Sequence, residues 1–203
     1  MPGFELLDGA DGRLAASDDL GVARVQLGAA VVDGPVPAGH RDEVVAFVGR
    51  HADAALRTCG PGHLTGSALV VDATGTRTLL LLHRKLGRWF QPGGHADGDT
   101  NLAAVALREA TEETGIDGLR VAVPAIDVDV HRVEPPAEDP HLHFDTRFLV
   151  IAPPAAVETA NEESLALRWV DADDLDDLDP PVDQGTRRLV ERGLAVATEL
   201  LGP

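Results

Sequence analysis

Three glutamates, Glu109, Glu112 and Glu113, fall in the run LREATEETGI at a spacing that puts them on one narrow face of a helix. Like charges four residues apart, here Glu109 and Glu113, repel. Such a face is kept either because water covers it or because a cation sits on it. Three carboxylates on a fixed surface suit Mg²⁺, with Mn²⁺ as a substitute, because a hard ion takes oxygen ligands and keeps waters for substrate phosphates. Arg108 stands beside Glu109 and can hold an adjacent carboxylate in place.

The helix that carries these residues must be anchored on its other side. Ala103, Leu107, Ala110 and Thr114 form a small-residue stripe suited to close packing on a sheet. Thr100 or Asn101 can cap its start, and Gly115 marks its end. A Gly93-Gly94 turn and a short acidic loop with Asp97 and Asp99 lead into it.

From Gly93 to Ile116 the chain resembles the signature box of the Nudix hydrolases, G-x5-E-x7-R-E-U-x-E-E-x-G-U, where U is bulky and apolar. Gly94, Arg108, Glu109, Glu112, Glu113, Gly115 and Ile116 fall on the pattern, and the preceding WFQPGG is similar to the family's approach to the box. Thr100 stands where the first Glu belongs, and Ala110 is small for the first U. The resemblance implies metal ligation by Glu109, Glu112, Glu113 and a carbonyl of the glycine turn, assigned to Gly94. It also implies a further acid from outside the box as ligand or general base. Glu134, Glu138, Asp145, Glu162 and Glu163 are candidates beside Glu109, with Glu163 favoured because it sits in a loop before a strand.

The 203 residues suit one domain with an N-terminal addition, and 44% are apolar, enough for a core. The formal charge is −17, with Lys85 the single lysine, so a nucleic acid polymer would be repelled. No run reaches transmembrane length, the N-terminus lacks secretory features, and one cysteine excludes a disulfide framework. A cytoplasmic location and no membrane partner are therefore expected. Abundant Ala, Asp, Val and Arg suit a GC-rich genome or a salt-adapted source.

Residues 1–63 are expected as an extension packed on the core, and 64–203 as the hydrolase domain. Residues 1–35, with a β-like run from Val22 to Val32, are read as one or two strands, and Arg41 to Leu56 as a helix with His51 at the core edge. Cys59 lies in a turn. It is read as structural, against the alternative of a catalytic thiol as in isopentenyl diphosphate isomerase, which shares the fold. SALVVD and TLLLLH read as strands buried on both faces. Arg84, Lys85 and Arg88 follow, the densest basic patch, with Arg84 and Arg88 assigned to substrate phosphate and Trp89 to packing. His95 is a further phosphate contact.

Beyond the box, Leu119 to Val123, Ile126 to Val133, the run from His141 and Ala166 to Val170 read as strands, and Gln184 to Leu201 as a helix. Asp127, Asp129 and His131 share one face, while His141, His143, Asp145 and Arg147 share another. Paired as a hairpin, these faces would line one cavity. A pocket wall in which His143 and Asp145 bind substrate ranks ahead of a solvent-facing surface, and a transition-metal site built from His131, His141, His143 and Asp145 ranks last.

The expected architecture is an α/β/α sandwich with a mixed β-sheet plus an N-terminal strand and helix extension. The expected activity is Mg²⁺-dependent hydrolysis of a diphosphate bond in a nucleoside diphosphate linked to another moiety, in a protein able to form homodimers. ADP-ribose, a nucleotide sugar and a nucleoside triphosphate fit the box equally. A catalytically weak nucleotide-binding module is the alternative, and an isomerase ranks third.

Overall fold

The computed structural model describes residues 3–135 and 139–202, so Glu138 lies outside the described residues. The elements run β1 (Glu5–Asp8), α1 (Leu20–Ala29), α2 (Pro35–Val48), β2 (Gly62–Val71), β3 (Arg77–His83), β4 (Trp89–Phe90), β5 (Gly93–His95) and α3 (Leu102–Thr114). Then follow β6 (Arg120–Val123), β7 (Asp127–Val133), β8 (His141–Ile151), β9 (Ser164–Asp171) and α4 (Gln184–Leu201).

The two longest strands, β2 and β8, pair in parallel along their whole length, and every other pairing is antiparallel, so the sheet is mixed. Each central strand has two outer neighbours. β5 lies on the first half of β2 and β3 on its last residues; β7 and β6 divide β8 in the same way. The open ends of the central pair thus bring β5 and β7 to one end of the sheet.

Alternation along β2 feeds two cores. Leu64, Ala68 and Val70 pack with Ala103, Ala106 and Ala110 of α3, while Leu69 and Val71 pack with Leu189, Val190 and Val196 of α4. The α/β/α sandwich follows from strands that are apolar on both faces. The small-residue stripe brings α3 close to the sheet, and Gly115, at φ 65°, ends the helix in the left-handed conformation.

The expected strand from Val22 to Val32 is instead α1. Asp19 caps its start by accepting from Gly21 N, and Ala23 and Leu27, one turn apart, are buried while Val25 is exposed. Cap and one-sided burial outweigh the β propensity of the valines. The second helix also lies earlier than Arg41 to Leu56. Pro35 begins it, and the chain leaves it after Val48 for turns. β2 starts at Gly62 rather than Ser67.

Leu7, Leu27, Val44 and Phe47 join the same buried cluster as Leu64 and Phe148, and β1 extends the sheet beside β6. The N-terminal elements therefore share the core of the rest. Among the described residues no helix is long and apolar enough to cross a membrane.

Candidate active site

Strand β5 and helix α3 meet at the glutamates. A Cβ on Gly94 would stand 2.3 Å from Glu109 Oε2, so only glycine lets this carboxylate lie against the strand. Gly93 N donates to Glu113 Oε2 at 2.8 Å. Arg108 Nη2 donates to Glu109 Oε1 at 2.9 Å and to the His95 carbonyl at 3.1 Å, tying the carboxylate's orientation to β5. Glu112 is exposed at the outer edge.

Burial pushes the Glu113 carboxyl up to about 7; the Gly93 N–H opposes this, and the charges of Glu109, Glu163 and Glu112 add to it. Burial raises Glu109 as well, against the pull of Arg108. Among the described residues one guanidinium, Arg108, is bonded to this group of carboxylates, which leaves it short of positive charge. The donors are all oxygen, which fits Mg²⁺ or Mn²⁺ and would not select a softer metal.

Glu163 stands close enough for its charge to add to the rise at Glu113 and to oppose the lowering that burial imposes on His83. Arg84 holds its loop: Nε donates to the Glu162 carbonyl at 2.8 Å, Nη2 to that of Ser164 at 3.1 Å, and its backbone N to that of Glu163 at 2.8 Å. Two of its side-chain donors are thus spent on positioning this loop. Arg88 and Glu162 are exposed, and Glu134 pairs with Arg132 at 3.0 Å.

Thr100, at the first-glutamate position, is 1% exposed and turned away from the site. Its hydroxyl donates to the carbonyls of Asp19 at 2.7 Å and Ser17 at 3.0 Å. Asp99 accepts from Ser17 N at 3.1 Å, and Asp97 pairs with Arg57 at 2.6 and 2.7 Å. Asn101 donates to the carbonyls of Arg13 and Ala15 and accepts from Gln26. The start of the acidic helix is thereby tied to residues 13–26. The missing glutamate is a docking residue for the extension, a role that a lone sequence did not reveal.

The other face of the sheet gathers the remaining polar candidates. β7 and β8 pair as expected, with Asp129 opposite Asp145 and His131 opposite His143. Yet the aspartates line no open wall. Arg147, 4% exposed, bonds Asp145 at 2.7 Å, Asp129 at 3.1 Å and Asp127 at 3.2 Å. Arg188 of α4 bonds Asp127 and Asp129 at 3.0 Å, and Thr65 and Ser67 donate to Asp145 at 2.9 Å. Despite burial, hydrogen bonding by His131 and Arg188 and the charge of Arg147 hold Asp129 below the usual carboxylate range. Asp145 is thus the counter-charge of a buried arginine.

Beside this network lie His63, His95, His141 and His143, with ring centroids 4.8–5.4 Å apart for every contacting pair. His63 is 1% exposed. Among the described residues neither of its ring nitrogens has a hydrogen-bond partner, nor has His141 Nε2. Leaving such a buried group unsatisfied costs about 1–3 kcal/mol. Burial first, then the neighbouring imidazoles, pushes His63 down to about 4 and His143 down to about 2. His63 was not singled out as a site residue in the sequence; only the parallel register of β2 with β8 sets it beside His143.

Cys59 is buried, and burial with a bond to Asp53 pushes its thiol up to about 11, away from an activated nucleophile. Trp89 packs, with Nε1 donating to the Asp179 carbonyl at 3.2 Å. The larger of two described concavities, about 1030 Å³, lies by Leu14, Val25, Val123 and Phe148, and the smaller, about 250 Å³, by Asp72 and Trp169; neither contains the glutamates.

The family model described as NUDIX domain matches residues 63–193. A Mycobacterium tuberculosis protein whose name proposes 8-oxo-dGTP diphosphatase activity is 32% identical over 143 residues, covering 68% of this chain and 59% of its own length. The Escherichia coli phosphatase NudJ is 28% identical over 144 residues, covering 69% of this chain and 85% of its own. The solved Ap4A hydrolase of Caenorhabditis elegans superposes with a TM-score of 0.54 at 16% identity, covering 67% of this chain and 98% of its own.

Proposed function

Because the chain belongs to the NUDIX family, we propose that it is a hydrolase of acid anhydrides, cleaving a diphosphate bond in a nucleoside diphosphate derivative with a divalent cation. The observation that carries this reading is the under-compensated glutamate group of α3 pressed against Gly94. The names of the relatives, one a phosphatase and one an 8-oxo-dGTP diphosphatase, support a phosphorylated small-molecule substrate.

Glu109, Glu112 and Glu113 would hold Mg²⁺, with the backbone at Gly94 beside them. Bound there, the ion supplies charge neutralisation at the phosphate oxygens and a more acidic water. Arg108 orients Glu109 through the bond it shares with His95 O. Glu163, placed by Arg84, takes the proton of the attacking water. Arg88, exposed in the turn between β3 and β4 that also carries Arg84, attracts the anionic substrate.

The test is a panel of ADP-ribose, nucleotide sugars and triphosphates including 8-oxo-dGTP, incubated with Mg²⁺, with Glu112→Gln as the control. Cleavage of one class should fall by on the order of a hundredfold or more in the variant, with an unchanged melting temperature. An unchanged rate would sink the glutamate assignment. A second reading, a binding module of weak activity, draws on Thr100, Asp97 and Asp99 all being tied up elsewhere. Calorimetric binding of a panel member without turnover, with Mn²⁺ also tried, would favour it.

A further inference from the structure

We propose that His63, His95 and His143 form a second metal site, for a divalent transition metal of the zinc class, on the face of the sheet opposite the glutamates. One ligand nitrogen from each lies within 4.8 Å of the others. The three come from three paired strands: β2 places His63 beside His143 of β8, and Thr65, two residues on, opposite His95 of β5. A tetrahedral zinc ion holds its nitrogens about 3.3 Å apart, given Zn–N bonds of about 2.0–2.1 Å. Small side-chain rotations close the remaining gap.

A second observation points the same way. The ring of His63 is buried, and among the described residues neither nitrogen has a partner. His141, whose ring is 4.8 Å from that of His63, bonds the Asp139 carbonyl through Nδ1 at 2.8 Å. That bond fixes the proton on Nδ1 and leaves a lone pair on a buried Nε2 without a partner, as metal-binding histidines are set by their outer neighbours. His141 adds an imidazole beside His63 and His143, just outside the group of three. The unpartnered nitrogens of the buried His63 and His141, set among further imidazoles, are what a borderline metal would satisfy.

The sites differ in chemistry and share one strand. Gly94 faces the glutamates, whereas His95 faces the imidazoles. Oxygen donors on one side favour Mg²⁺, and nitrogen donors on the other favour zinc, cobalt or nickel. Each metal has its own cluster.

The experiment uses the full-length, tag-free chain, stripped with chelator and titrated with Zn²⁺ in excess Mg²⁺, with bound metal measured by mass spectrometry. Visible spectra of the Co²⁺ form report its geometry. About one zinc ion per chain is expected to persist against Mg²⁺, with tetrahedral Co²⁺ bands. His143→Ala should weaken binding by more than the roughly 10–100-fold that loss of an outer-shell partner costs, and Glu112→Gln should leave it unchanged. No zinc retained, binding unaffected by His143→Ala, or binding lost in Glu112→Gln would each overturn the site. Should His143→Ala not fold, a zinc-dependent rise in the melting temperature of the unaltered chain that is absent in His95→Asn supports it, and no rise overturns it. None of these readouts depends on turnover, so the hydrolase reading and this one fail separately.

Discussion

Two groups of three carboxylates occupy opposite faces of one sheet, and their surroundings differ in sign. Asp127, Asp129 and Asp145 are threaded by Arg147 and Arg188, and Asp129 is held below its ordinary range. Among the described residues Glu109, Glu112 and Glu113 have one bonded guanidinium, Arg108, and both the half-buried Glu109 and the buried Glu113 are pushed upward. Acidic residues in numbers therefore say little about metal. The aspartates are satisfied by the protein itself and lock α4 to β7 and β8, whereas the glutamates remain short of positive charge. Only the second arrangement calls for a cation from solution.

The sharpest way to break this comparison is to remove the arginine from each group. Arg147→Met leaves the buried Asp145 without an arginine and the buried Asp127 and half-buried Asp129 with Arg188 alone, and losing one partner of a buried ionic network costs about 3–5 kcal/mol. Arg108 has 38% of its side chain exposed, so Arg108→Met should cost less than about 1 kcal/mol while slowing turnover through a misoriented Glu109. Urea unfolding of both variants decides the matter. Equal losses of stability would mean that the two groups are not distinct in kind.

The acidic helix was legible because its information is local: caps, small-residue stripe and glutamate spacing all lie within one run. The second half of β2 and β3 were legible because burial on both faces leaves near-continuous apolar runs, and β8 because its polar and apolar residues alternate before such a run. What escaped depends on pairing across distance. Thr100 looks like a degraded position until Ser17 and Asp19 are placed against it, 83 and 81 residues away in sequence. His63 looks like a turn residue until β2 is laid beside β8. Arg188, one of several arginines on α4, becomes a structural ion only when α4 is set over Asp127. Asp145 was read as a substrate contact on the same face as Arg147, because a strand pattern does not show that the guanidinium turns back onto the carboxylate.

A smaller effect is expected at the glutamates themselves. Glu113→Gln keeps an acceptor for Gly93 N–H and removes a buried charge that its neighbours repel. Measured metal-free above about pH 7, the variant should be at least as stable as the unaltered chain. It should also lose the stabilisation by Mg²⁺ that raises the melting temperature, which at about a hundred times the dissociation constant amounts to about 2.7 kcal/mol. A metal-free loss of stability, or an undiminished response to Mg²⁺, would show that Glu113 belongs with the compensated carboxylates.

The smallest effect lies in the acid limb of stability, and its sign separates the groups. A carboxylate depressed in the folded state contributes stability that is present above its unfolded value, near 3.8, and is lost as pH falls through the folded one. Asp129 is of this kind, because protonation forfeits its bonds to Arg147 and Arg188. Stability measured from about pH 5 downward should therefore decline in the unaltered chain and decline less steeply in Asp129→Asn, which has already lost the charge. Equal slopes would mean that the network does not hold Asp129 ionised. The distinction between a self-satisfied carboxylate group and one that needs a cation would then have to rest on the arginine and glutamate variants alone.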